Sequence, residues 1–420
     1  MKRILMVSTH GYFEGKPLLG LPDTGGQVVF VIELSKALAK SGYKVDILTR
    51  QFEDFPQIER LNKDVQIVRI PCGSKDFIPK EYLVENLPEL IDGFVKYCKD
   101  NNLEYEFLDS HYWDAGFVGI GLREIFRIPV IFTPHSLGIW KKMDMEGTLA
   151  KRGSEIDEEE FEKEYNFRKR NETEKVIMNN ADKVIATTPQ QKDIICEKYE
   201  IPEGKVAVIT PGFDADKYRR IDKKALTWWI EERKLPEKFT LTVGRIASNK
   251  GYDLLLEAMK YVLEEMPDIK LALRIGSQSP MENEIRQKDE LLKLAGSLGI
   301  SDKLLFLDYI EELEYLYNAA RVFVLASTYE PFGMTAIEAM ACGTPAVITD
   351  RGGLKYFLED GKDAMIVNPF DTRKLAKAIV TLLKDQRLYD EISQKGCHKA
   401  HSMFTWEMIA NKTLEIIRQL

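Results

Sequence analysis

No apolar run in this chain reaches membrane-spanning length, and the run after Lys2 and Arg3 is too short for a secretory leader. Cysteine is sparse. Cys72, Cys98, Cys196, Cys342 and Cys397 are scattered with no C-x-x-C pair, which excludes a disulfide frame or cysteine zinc site and fits reduced thiols in the cytoplasm. A basic excess is missing too. The 59 Lys and Arg face 67 Asp and Glu, a formal charge of −8 with no basic stripe, so neither a nucleic acid nor a membrane is an expected partner. No short-period repeat or low-complexity tract appears. Gly25, Gly26 and Gln27 open a helix without the Lys-Ser/Thr that closes a P-loop. Gly116, Gly119 and Gly121 do not complete a dinucleotide fingerprint. Asp214, Ala215 and Asp216 have the form of a metal-binding D-x-D, but they fall at a domain boundary and read as structural. His398 and His401 lack a third ligand. No metal site is therefore expected.

What the chain does have is size and alternation. Its 420 residues, 44% hydrophobic and 30% charged, suffice for two globular domains. Short apolar runs predict strands at Ile4–Ser8, Val45–Leu48, Val65–Ile70, Phe107–Asp109, Val130–Thr133, Val184–Thr187 and Val206–Ile209. A long loop with Gly11, Gly15, Pro17, Gly20 and Pro22 follows the first, and a helix from about Val28 to Lys40 ends at Gly42. Glu81–Lys99 has helical periodicity with Pro88 as a flaw. Ser154 is a candidate cap for one long helix, acidic at Asp157–Glu160 and basic at Arg168–Arg170. Pro211 and Gly212 mark a boundary. Strands then recur at Thr240–Val243, Leu271–Ile275, Leu304–Leu307, Val322–Leu325, Ala346–Ile348 and Ala364–Val367. Such alternation implies α/β architecture: two Rossmann-like domains facing a cleft, with ligands at the carboxyl ends of the strands. The expected division is 1–212, 213–402, and a last helix in 403–420 packing back on the first domain.

The stretch Tyr329–Gly343 carries the strongest chemical signal. A strand precedes it, Pro331 and Gly333 break the chain, and Thr335–Ala341 has helix-forming composition. Glu330 then sits on the loop and Glu338 one to two turns into the helix. The amides of Phe332, Gly333 and Met334 face outward at the positive helix end, which attracts phosphate. Two carboxylates beside an anion site suit a nucleotide sugar; an ordinary loop with a capped helix would read the same way. Arg245 and Lys250, past another strand, can reach one point and neutralise a leaving diphosphate. In the first half, Gly26 and its neighbour Gly25 let a ligand approach the backbone. His135, just past a strand, can hydrogen-bond a sugar hydroxyl as a neutral imidazole, or be a satisfied core histidine. Lys80, Lys141 and Arg170, taken singly, read as solvated charges.

Together these residues resemble the retaining glycosyltransferases of the GT-B fold over essentially the whole chain: Glu330 with Glu338 eight positions on, plus Arg245 and Lys250. Gly25–Gln27, Phe77–Leu83 and His135–Lys141 are similar to the group of sucrose-phosphate and sucrose synthases. Ser8–Tyr12, Arg69–Gly73, Ser110–Gly116 and His135–Lys142 look most like the bacterial mannosylfructose-phosphate synthases. The resemblance implies a role for each residue. Glu330 lies at the donor sugar and Glu338 at the ribose. Arg245 and Lys250 bind the diphosphate with the amides of Gly333 and Met334. His135 contacts the donor sugar, and Gly26 and Gln27 line the acceptor and reaction centre. Lys80, Lys141 and Arg170 hold an acceptor phosphate. The implied reaction is hexosyl transfer from GDP-mannose to fructose 6-phosphate with retention, no cofactor required, in a closed site that excludes water. A separate phosphatase would act on the product. Competing readings are a sucrose-phosphate synthase using UDP-glucose, a nucleotide-sugar epimerase, and a non-catalytic sugar-nucleotide sensor.

Overall fold

The structure, a computed structural model, describes residues 2–15, 24–151, 157–276, 282–307 and 310–420. The chain divides into two compact units: Met1–Thr210 with Trp406–Leu420, and Pro211–Thr405.

The first unit runs β1 (Arg3–Val7), α1 (Gly26–Lys40), β2 (Lys44–Gln51), β3 (Ile58–Arg60), β4 (Val65–Pro71), α2 (Leu87–Asp100), β5 (Phe107–His111) and α3 (Trp113–Phe126). It continues β6 (Val130–Thr133), α4 (Gly138–Lys151), α5 (Glu158–Tyr165), α6 (Phe167–Asn180), β7 (Lys183–Ala186), α7 (Pro189–Lys198) and β8 (Val206–Val208). The sheet order is β3-β4-β2-β1-β5-β6-β7-β8. Every pairing is parallel except β3 with β4. The central strands are fully buried, which is why Ile4–Val7 reads as an unbroken apolar run rather than an alternation.

Three features depart from the expected pattern. Pro88 does not interrupt a helix; it stands in the first turn of α2, where a missing N–H costs nothing, and a separate 3-10 turn occupies Leu83–Asn86. The long acidic-then-basic helix is two helices. Asn166 adopts φ 50° and ψ 41°, ending α5 and starting α6, and Asp157 caps α5 by accepting from the amides of Glu159 and Glu160. Ser154 lies outside the described residues, as do Pro17, Gly20 and Pro22. The edge strand β3 was not foreseen. The α3 glycines serve packing: a Cβ on Gly116 would lie 2.7 Å from Phe132, and one on Gly121 2.6 Å from Ile91.

The second unit runs α8 (Lys223–Glu232), β9 (Phe239–Gly244), α9 (Tyr252–Glu265), β10 (Lys270–Ile275), α10 (Glu282–Ser297), β11 (Leu304–Phe306), α11 (Leu313–Ala319) and β12 (Val322–Leu325). Then come α12 (Met334–Ala341), β13 (Ala346–Thr349), β14 (Met365–Val367), α13 (Thr372–Lys384) and α14 (Gln386–Met403). The all-parallel sheet is ordered β11-β10-β9-β12-β13-β14, with one apolar core on each face. Asp214, the D-x-D suspect, accepts from the amides of Asp216 and Lys217 and shapes the turn that opens this unit.

After α14 the chain returns to the first unit as α15 (Trp406–Ile417), where Trp406 meets Phe30 of α1 edge to face at 5.2 Å. In each sheet the strand order reverses once, between β1 and β5 and between β9 and β12. Such reversals open a crevice at the strands' carboxyl ends, where α/β folds bind ligands.

Candidate active site

In the second unit the reversal point is built by two loops that lock together. The 3-10 turn Ser248–Lys250 follows β9, and Gly251 (φ +64°) starts α9. A Cβ on Gly251 would stand 2.1 Å from the Ala326 carbonyl, so glycine lets this turn lie directly on the end of β12. The Asn249 carbonyl accepts from the Thr328 amide at 2.9 Å, and its side chain donates to the Tyr329 carbonyl at 2.9 Å. The result is a short ion pair: Lys250 Nζ lies 2.6 Å from Glu330 Oε2, which also accepts from Ser327 at 3.1 Å. Arg245 is exposed, and the buried Tyr252 hydroxyl donates to its carbonyl at 3.0 Å. Burial pushes that hydroxyl's pKa up, with Glu330 adding to the shift and Arg245 opposing it.

The other side of the crevice is the start of α12. Gly333 is its N-cap at φ 114°, and the first-turn amides have no intrahelical acceptor. Phe332 differs from its neighbours. The residue is 4% exposed and its ring packs on Phe404 at 5.7 Å. Glu338, 8% exposed, accepts from the Tyr317 hydroxyl at 2.9 Å. Burial pushes its carboxyl up to about 7, against the pull of that hydrogen bond and of Lys217.

In the first unit the ends of β1, β5 and β6 bring together Ser8, His10, His111, Tyr112 and His135. Gly26 is exposed at the start of α1. The Gln27 amide donates to Ser8 Oγ and to the His111 carbonyl, both at 3.1 Å, tying α1 to two strands. His135 takes φ +56°, an uncommon conformation for a residue with a side chain, and its ring meets Phe30 at 4.7 Å. Its Nε2 lies 3.0 Å from His111 Nδ1. Burial, with a contribution from His10, pushes the His135 imidazole down to about 3, so it is neutral.

Lys80, Lys141 and Arg170 lie about two tyrosines. Lys141 Nζ stands over the Tyr165 ring at 4.8 Å, and the Arg170 guanidinium over the Tyr112 ring at 4.7 Å. Lys80 acts electrostatically on both tyrosines. The reading of Arg170 as a solvated charge is overturned: it is 3% exposed, donates to Glu174 Oε1 and the Ser136 carbonyl at 2.7 Å each, and is already balanced by that buried carboxylate. Lys80 pairs with Glu81 at 3.0 Å.

A second cluster, from the stretches Ser8–Tyr12 and Ser110–Gly116, lies beside these. His10 Nδ1 lies 3.0 and 2.9 Å from the two oxygens of buried Asp114, and Thr9 donates to Asp114 at 2.6 Å. The signal was available, since all three follow or abut strand ends, but no local spacing links residues a hundred positions apart. His401 is structural, its Nε2 3.1 Å from the Ala341 carbonyl. Among the described residues no helix is long and apolar enough to cross a membrane.

Comparison with known proteins gives two family matches. The family model for Glycosyltransferase Family 4 matches residues 24–217, and that for Glycosyl transferases group 1 matches 228–399. Mannosylfructose-phosphate synthase of Agrobacterium fabrum is 43% identical over 99% of this chain and 91% of its own. D-inositol 3-phosphate glycosyltransferase of Corynebacterium urealyticum is 31% identical over 100% and 96%. Among solved structures, sucrose-phosphate synthase from Thermosynechococcus elongatus superposes with a TM-score of 0.85 at 29% identity, covering 100% of this chain and 99% of that one. With two parallel-sheet units, each built around a strand reversal, and with relatives of this likeness over nearly its whole length, the chain belongs to the group 1 glycosyltransferases of the GT-B fold.

Proposed function

We propose that this enzyme moves a hexose from a nucleotide sugar to fructose 6-phosphate with retention of anomeric configuration, and that the donor is GDP-mannose. The observation that carries the acceptor assignment is the gathering of Lys80 and Lys141, from separate segments, about Tyr165, with Arg170, held by Glu174, stacked on the neighbouring Tyr112. A sugar phosphate would need such cations and a free sugar would not. The names of the three relatives point the same way, each carrying a phosphate. The choice of mannose rests on the 43% relative. UDP-glucose is the second reading, favoured by the likeness to the sucrose-phosphate synthase structure.

Retention invites a carboxylate nucleophile, as in retaining glycosidases. In the donor half Glu330 is the carboxylate at the strand end, and its Oε2 is held by Lys250 and Ser327. An oxygen so engaged suits hydroxyl binding better than attack on carbon. The favoured route is therefore front-face. The bond from the anomeric carbon to the diphosphate breaks as the acceptor hydroxyl arrives on the same face, and a phosphate oxygen takes the hydroxyl proton. Arg245, Lys250 and the amides of Gly333 and Met334 stabilise the departing diphosphate, and His135 orients the sugar. Glu338 accepts the ribose hydroxyls, and Gly26 and Gln27 line the acceptor. No separate cofactor enters, and the phosphorylated disaccharide leaves for a separate phosphatase. Parallel incubations of fructose 6-phosphate with GDP-mannose and with UDP-glucose, with the product identified by NMR, test this. An α-mannoside phosphate is expected. Product from UDP-glucose alone transfers the assignment to the second reading, and absence of any transfer leaves a binding protein.

A further inference from the structure

His135 is the end of a buried chain of titratable groups. Its Nε2 meets His111 Nδ1 at 3.0 Å, and His111 Nε2 lies 3.6 Å from Asp109 Oδ2. His111 and Asp109 are 0% and 2% exposed. Asp109 Oδ1 accepts from Thr133 at 3.2 Å, while His111 Nε2 is buried without a hydrogen-bond partner. A buried ring nitrogen left unpaired is costly, and at 3.6 Å the facing carboxyl oxygen is too far for a formed bond yet near enough to close by a small rotation. The Nδ1 atom of His135 has no hydrogen-bond partner among the described residues.

We propose that Asp109, His111 and His135 form a proton wire that switches His135 Nδ1 between acceptor and donor without charging either imidazole. With Asp109 ionised, His111 carries its proton on Nε2, toward the carboxylate. Its Nδ1 then accepts from His135 Nε2–H, and His135 Nδ1 is bare. When a proton arrives at His135 Nδ1, the Nε2 proton of His135 passes to His111 Nδ1, and the Nε2 proton of His111 passes to Asp109. Each ring gains one proton and gives one up, and the added proton ends on the carboxyl. Burial supports this order: it pushes His135 down to about 3 and His111 lower than an ordinary histidine, and pushes Asp109 up to about 8. The low-energy place for the extra proton is therefore the acid and not a ring. The other titratable group facing the chain is His10, whose Nδ1 is held by Asp114. Asp109 and His111 are thus positioning residues, acting on substrate only through His135.

The placement of His135 at the sugar rests on the reading given under Proposed function; the wire itself does not. The test uses the full-length enzyme labelled with 15N-histidine, its five histidines assigned by single variants. Expected, without substrate, is one concerted change as pH rises past 8: His135 Nδ1 passes from protonated to bare, His111 exchanges tautomers at the same midpoint, and neither ring shows an imidazolium signal. In Asp109→Asn the change should vanish. An imidazolium on either ring, independent midpoints, or an unaltered switch in Asp109→Asn overturns the wire, and the wild-type titration decides alone if that variant does not fold. Transfer assays separate the two readings: Asp109→Asn should lower kcat about tenfold with both KM values within about twofold, the size of one lost hydrogen bond. If the tautomer switch is present but His135→Ala transfers normally, the wire stands and the placement of His135 fails.

Discussion

Lys250 and Glu330 share one short contact, so removing either leaves a charge behind. Lys250→Ala should lower turnover at saturating substrates by at least about tenfold, because the departing diphosphate loses a cation. A rate near wild type would remove Lys250 from the mechanism. Glu338 gives a pH dependence with a definite sign. Its folded value, raised to about 7, means the unliganded protein gains stability from this group below the ordinary carboxyl range and loses it as pH rises through about 7. Ribose hydroxyls favour the ionised form, so nucleotide binding should release a proton and tighten from pH 6 to 8. Calorimetry against Glu338→Gln, where that slope should be gone, isolates it from the ligand's own titration. Arg170 and Lys80 should part company. Lys80→Ala is expected to raise KM for fructose 6-phosphate far more than for the donor. Arg170→Ala leaves Glu174 buried and uncompensated, a loss of about 3–5 kcal/mol visible in thermal melting. Equal effects on both substrates in Lys80→Ala would count against the phosphate pocket.

At the scale of elements, Gly251 is the joint that sets Lys250 against β12. Gly251→Ala must adopt a positive φ and push against the Ala326 carbonyl, which cannot retreat without moving the strand. The expected result is a lower melting temperature together with lost transfer; an active, stable variant would show the joint to be looser than drawn. The elements themselves were mostly legible. Buried parallel strands announce themselves as apolar runs, and Glu330, Lys250 and His135 follow such runs directly. What failed to show had nonlocal causes. Asn166 splits a helix because its turn meets Glu81 through a side-chain hydrogen bond of 3.0 Å, a contact across 85 positions. Pro88 looked like a fault because helix onset is defined by the turn before it. The burial of Arg170 depends on Glu174, one turn on, facing inward with it. Asp109 meets Thr133 of β6, and Asp114 at the start of α3 meets Thr9 and His10 after β1, pairings that no local spacing in the sequence announces.

The whole molecule returns to its first unit at the end. Helix α15 lies on α1, with Trp406 against Phe30, and Phe30 in turn touches His135. A chain ending at Thr405 should therefore keep the second unit's melting transition and lose stability in the first, with transfer abolished; scanning calorimetry and limited proteolysis of the two units check this. Unchanged stability of the first unit would mean that α15 is dispensable. The same arrangement inverts the usual order of biogenesis. Domains generally fold in sequence as they leave the ribosome, the earlier one first. Here the unit made first is still missing a helix when the later unit has all its residues, so the nascent first unit must wait, its α1 face uncovered, until synthesis has passed Trp406.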